Sequence, residues 1–112
     1  MKHFPASELY EPTATGAFRR MVIDVPSMRA GLLGFASGEV VRIHGHMKSE
    51  ELFLFVSGTA IVTVGDNDSF EVKAGDVVIV VPGEFHTFTE TSGPLAVLAV
   101  VAPNIADTQY PV

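Results

Sequence analysis

The chain has 112 residues, no cysteine, 47% apolar residues and a formal net charge of −6. Disulfides and thiolate chemistry are therefore excluded, and seven scattered basic residues against thirteen acidic ones make no basic patch for nucleic acid or an anionic membrane. The length suits one domain, and so high an apolar share predicts that some surface is covered by a second copy of the chain, as a homodimer.

The first residues, MKHFPASELYEP, lack the apolar core of a signal peptide. Leu95 to Ala102, the longest apolar run, is far too short to span a membrane. A cytoplasmic protein is expected. Residues 1–16, with Pro5, Pro12 and Gly16, read as an arm or short edge strand rather than a helix, and residues 17–112 as the domain. Strands are predicted at Phe18 to Val25, where Pro26 ends the run, and at Arg29 to Ala36. Further strands follow at Val40 to His46, Leu52 to Ser57, Ala60 to Gly65, Ser69 to Val72, Asp76 to Val81, His86 to Thr89 and Leu95 to Val101. Gly65-Asp66-Asn67-Asp68 and Lys73-Ala74-Gly75-Asp76 are hairpin signals. No segment keeps a helical period for ten residues, so the fold class is all-β, a sandwich or barrel of short Val-rich strands. Leu52, Leu54 and Val56 alternate with Phe53 and Phe55, so one face of that strand must line the barrel and the other must pack on a second layer or subunit.

One stretch, Gly38 to Gly58, carries the chemistry. His44 and His46 stand two apart on a predicted strand, so both imidazoles leave the same face, roughly 6–7 Å apart. Glu51 opens the next apolar run, which would return as the antiparallel partner and bring a carboxylate beside the two rings. His86 lies further on, after a Pro82-Gly83 turn. Three imidazoles and one carboxylate suit a divalent iron, manganese, nickel, copper or zinc ion and leave an octahedral ion two positions for water or substrate. Glu50 competes with Glu51, but neighbours on a strand point to opposite faces, and Glu50 is expected outward. His3, in the arm, stands outside this pattern.

The two stretches together resemble the cupin family. Gly38, His44, His46, Glu51 and Gly58 match its first motif in full, at its spacings. Gly75, Gly83 and His86 match the second, which departs at Val81, where the family usually has Pro, and at Glu90, where it usually has Asn. The resemblance implies a double-stranded β-helix, or jelly-roll, barrel of six to eight strands. It also implies one divalent metal per chain on His44, His46, Glu51 and His86, and an N-terminal arm of the kind that often crosses to a partner subunit.

Strand alternation places Phe53, Phe55 and Phe88 as the wall of a substrate pocket. Arg42 shares the face of His44 and His46, and is either a mouth residue reaching water or a group that pairs with an acidic substrate. Glu90, on the face of His86 and Phe88, is either a strand-end surface acid or a catalytic acid or base in the lumen. Within small cupins these features imply a metal-dependent oxygenase, isomerase or decarboxylase acting on a small oxygen-chelating substrate, or else a non-catalytic metal or ligand-binding module. A transcriptional sensor is the third reading, weakened because no helix-turn-helix segment accompanies the barrel.

Overall fold

The computed structural model describes residues 1–9, 17–66 and 68–111. Among the described residues, eight strands run in chain order: β1 (Phe18–Val25), β2 (Met28–Phe35), β3 (Gly45–His46), β4 (Glu50–Val64), β5 (Asp68–Lys73), β6 (Val77–Val80), β7 (His86–Ala102) and β8 (Thr108–Gln109). One sheet has the order β1-β2-β7-β4-β5, with β6 also on β4, and a second pairs β3 with β8. All pairings are antiparallel.

Two long strands make the barrel. The start of β4 pairs with β6 and with the end of β7, whereas the end of β4 pairs with β5 and with the start of β7. Both strands therefore belong to two facing half-sheets and bend between them. Gly58, which falls between the predicted strands Leu52 to Ser57 and Ala60 to Gly65, sits at a bend within the single strand β4, where the register with β7 shifts. Its φ is +81°, and a Cβ there would stand 2.5 Å from the Ser92 carbonyl oxygen and 2.8 Å from the Leu95 Cα, so only glycine allows the strands to approach so closely.

Between the half-sheets lies the core, in which Phe53, Phe55, Val62, Val72, Phe88, Leu95 and Val97 are buried. Phe53 and Phe55 point inward from β4, while Leu52 and Leu54 are half-buried on its outer face and Val56 is exposed. Leu52 and Leu54 lie beside Ile79 and Val77 of β6 and beside Val100 and Leu98 of β7, which gives the outer face two apolar rows.

Two expectations need correction. Val40 to His46 is not a continuous strand: His44 forms an isolated bridge to His86 and only Gly45–His46 is regular, paired with β8 rather than with β4. Glu51 is thus not delivered by a hairpin; the intervening 47–49 loop leads from the β3/β8 pair to β4 and is fastened to the C-terminal segment. The arm, expected to be non-helical, contains a short helix, α1 (Ala6–Leu9), whose Glu8 and Leu9 amides donate to the Pro5 carbonyl. Pro5 stands just before this turn, where its carbonyl accepts the first bonds and its missing N–H is not needed. Pro12, Gly16 and Asn67 lie outside the described residues. Among the described residues, no helix is long and apolar enough to cross a membrane.

Candidate metal centre

Backbone pairing assembles the site at one end of the barrel. The amide of His44 donates to the His86 carbonyl at 3.1 Å and that of His86 returns the bond to His44 at 2.8 Å, so two histidines distant in sequence become direct neighbours, with ring centroids 4.4 Å apart. Between His44 and His46, Gly45 is required by space: a Cβ there would lie 2.8 Å from the Glu84 carbonyl oxygen and 3.2 Å from the Phe85 ring. The Pro82-Gly83 turn closes the corner, as the Gly83 amide donates to the His46 carbonyl at 2.8 Å. On β4 the burial alternates as expected, with Glu50 exposed and Glu51 buried.

Each ring nitrogen that bonds outward fixes the one that faces inward. His44 Nδ1 lies 2.7 Å from the Arg42 carbonyl, which can only accept, so Nδ1 carries the proton and Nε2 keeps its lone pair. His46 Nδ1 donates to Asp107 Oδ1 at 3.0 Å, and its Nε2 stands 3.3 Å from Glu51 Oε1. His86 Nε2 is 3.1 Å from the same Glu51 oxygen. Burial pushes the His44 pKa below its usual 6.5, and His86 and His46 add to the effect; the Arg42 carbonyl and Glu51 oppose it without cancelling it. The ring is neutral near pH 7, the form that binds a metal.

Ligand atoms of His44, Glu51 and His86 all lie within 4.8 Å of one another; His46 stands outside that group of three and touches it through Glu51, 3.3 Å from its Nε2. Glu51 Oε1 and both ring nitrogens of His86 are buried and make no hydrogen bond. Glu51 Oε1 and His86 Nε2 stand 3.1 Å apart without hydrogen-bonding geometry, so the carboxylate oxygen presents a lone pair to the space it shares with the ring. A buried acceptor left in this way costs about 1–3 kcal/mol, and a cation among these atoms relieves that cost. The donor set of imidazoles and one carboxylate fits a divalent metal ion.

Asp107 is a part of the centre that reading the sequence missed. Besides His46, its carboxylate accepts from the amides of Lys48 at 2.8 Å and Ser49 at 2.9 Å, so it holds both the ring and the loop leading to Glu51. Buried Ser49 adds a 2.6 Å bond from its hydroxyl to the Pro103 carbonyl. Burial raises the Asp107 pKa, but the bonds from Lys48, His46 and Ser49 outweigh it and bring the group to about 2. A carboxylate behind a ligating histidine orients the ring and raises its basicity. Nothing local marks Asp107 in the sequence, since it lies 61 residues from His46 in a polar tail.

A cavity of about 520 Å³ opens beside the cluster. Phe53 and Phe88 line it, whereas Phe55 lies one layer deeper against Phe88, with ring centroids 5.5 Å apart. Arg42 stands at the mouth, exposed, with its guanidinium 3.8 Å from the centroid of the Tyr110 ring. Tyr110, also missed, is 6.2 Å from the His44 ring. Glu90 is exposed in a left-handed backbone conformation (φ 49°) and is not among the residues that line the cavity.

Fold and site together define a double-stranded β-helix barrel whose open end carries a His/Glu cluster able to hold a metal ion. The chain belongs to the cupin family, whose domain model matches residues 31–101. It is similar to an uncharacterized conserved protein with a double-stranded β-helix domain from Klebsiella pneumoniae, with a TM-score of 0.82 and 24% identity over 97% of this chain and 96% of that one. The DMSP lyase DddQ from Ruegeria pomeroyi aligns with a TM-score of 0.73 and 17% identity over 84% of this chain and 51% of its own. At these identities the likeness is one of fold. An uncharacterized protein from Methanocaldococcus jannaschii is 33% identical over 67 residues, 59% of this chain, which spans only 53% of that relative's length.

Proposed function

We propose that this chain is a metal-dependent enzyme, of oxygenase, isomerase or decarboxylase type, that binds one divalent ion through His44, His46, Glu51 and His86 and acts on a small oxygen-chelating substrate in the adjoining cavity. The observation that carries this reading is the set of buried, unsatisfied atoms on Glu51 and His86, which faces a cavity rather than a packed wall. When bound, a divalent iron, manganese, nickel, copper or zinc ion would supply Lewis acidity toward a coordinating substrate oxygen. The protein's own residues do the remainder. Asp107 and the Arg42 carbonyl hold two imidazoles in the ligating tautomer, Phe53 and Phe88 exclude water from the inner wall, and Arg42 at the mouth is placed to meet an acidic group. Catalysis on this fold has a precedent in the structural relative that is a lyase.

A homodimer belongs to the same reading. Val77 and Ile79, 53% and 58% exposed, continue the apolar rows of β4 and β7 on the outer face, and a second copy of that face is a chemically matched cover.

The test is elemental analysis of protein purified without added metal, followed by a screen against keto acids, uronates, diketones and catechols. One ion per chain is expected, lost in His86→Ala and retained in Glu50→Ala, with at least one compound converted. Absence of metal from the wild type under every loading condition overturns the reading. Compounds that bind but are never converted, with each of the five metals, favour the binding module instead.

A further inference from the structure

In a chain of net charge −6, the cavity beside the metal cluster reverses the sign. Three of the seven basic side chains, Arg19, Arg29 and Arg42, line it, against Glu51 alone of the acidic ones among the described residues. Glu51 is already spoken for by the imidazoles. None of the three arginines forms an ion pair among the described residues.

Arg29 is the best placed. It is half-buried on β2, directly opposite Val101 of β7, which is in turn opposite Glu51 of β4. Residues opposite one another in a sheet point to the same face, so Arg29 and Glu51 both face inward, two strand spacings or about 10 Å apart at the backbone. One guanidinium nitrogen donates to Asn104 Oδ1 at 3.2 Å, and Asn104 is itself tied to Asp24 Oδ1 at 2.6 Å and to the Val25 carbonyl at 3.0 Å. The tether is a neutral amide that stands between Arg29 and Asp24, its cross-strand neighbour on β1, so the guanidinium is held in position without a direct ion pair. A half-buried cation of this kind calls for an anion, and its planar fork matches a carboxylate.

The geometry points to a small dicarboxylate as the ligand class: one carboxylate or adjacent oxygen at the metal cluster and a second, across a short carbon bridge, on Arg29, with Arg42 closing over it from the mouth. The inference rests on the proposed metal site for the first of these contacts but not for the second. Arg29 is a specificity residue: it selects the second acidic group and has no part in holding the metal.

The experiment compares malonate, succinate and glutarate with acetate, propionate and butyrate by calorimetric titration. Wild type, Arg29→Gln and Arg29→Lys are each titrated with and without bound metal, and thermal melts confirm folding. The expected result is that at least one dicarboxylate binds about tenfold or more tightly than its monocarboxylate partner. That preference should disappear in Arg29→Gln and partly return in Arg29→Lys, with metal content at the wild-type level in both. Equal binding of the two series by wild type, or a preference that survives in Arg29→Gln through metal chelation alone, overturns the assignment. The two readings fail separately: a chain without metal that keeps an Arg29-dependent preference refutes only the metal site, and a fully metallated chain without it refutes only the dicarboxylate.

Discussion

Replacing Asp107 by Asn changes one oxygen to an NH₂ group and leaves the shape of the side chain intact. The amide can still accept at one oxygen, but its NH₂ must then face a donor, either the His46 ring or the Lys48 and Ser49 amides that now bind Oδ1 and Oδ2. At least one buried donor loses its acceptor. The wild-type carboxyl is lowered from 3.8 to about 2, a shift worth about 2 kcal/mol, which solvent near this loop reduces to about 1–2 kcal/mol. Because the folded-state pKa is depressed, that stability is present above the unfolded value and is lost as the pH falls from about 4 to about 2. Metal-free Asp107→Asn should therefore be about 1–2 kcal/mol less stable than the wild type at pH 7, melting about 4–10 °C lower, and the difference should shrink as the wild-type carboxyl is protonated. Urea titrations in chelator from pH 7 to pH 3 measure this, and metal affinity at pH 7 should fall about 10- to 100-fold as the His46 ring loses its orienting partner. A stability difference below about 0.5 kcal/mol at pH 7, or one unchanged across the pH range, would refute the account of Asp107 as the clamp of the loop and the ring.

Gly58→Ala should cost about 3 kcal/mol or more, since its Cβ would collide with backbone on β7 and its φ is positive; a melt within a few degrees of wild type would show that the bend can relax. Light scattering should give about twice the 12.0 kDa chain mass, and Ile79→Glu should return the protein to a monomer. A wild-type monomer at micromolar concentration removes the dimer. Arg42→Leu should leave metal content unchanged and weaken binding of acidic compounds about tenfold or more, in keeping with a charged hydrogen bond of about 1.5–3 kcal/mol; unchanged affinity would leave Arg42 as a surface residue stacked on Tyr110.

The linear chain already determined the fold class and most of the centre, because those features depend on local order. Alternation along 51–56 is a property of successive residues, so it separates buried Glu51, Phe53 and Phe55 from outward Glu50, Leu52 and Leu54 without knowledge of the partner strands. Spacing also marked His44, His46, Glu51 and His86 as one set. How they meet was decided by tertiary structure: His44 pairs with His86, and Glu51 stands at the start of β4 while the far end of the same strand, Val64, pairs with His86, because β4 and β7 bend to serve both half-sheets. The same holds for Asp107, Tyr110 and Arg29. Each is unremarkable among its sequence neighbours, and each acquires its role only when a segment far along the chain is brought beside it, Asp107 against His46, Tyr110 under Arg42 and Arg29 two strands from Glu51. Side-chain direction within a strand follows from covalent geometry and can be read from the sequence, but the pairing of distant segments follows from the packing of the whole barrel and cannot.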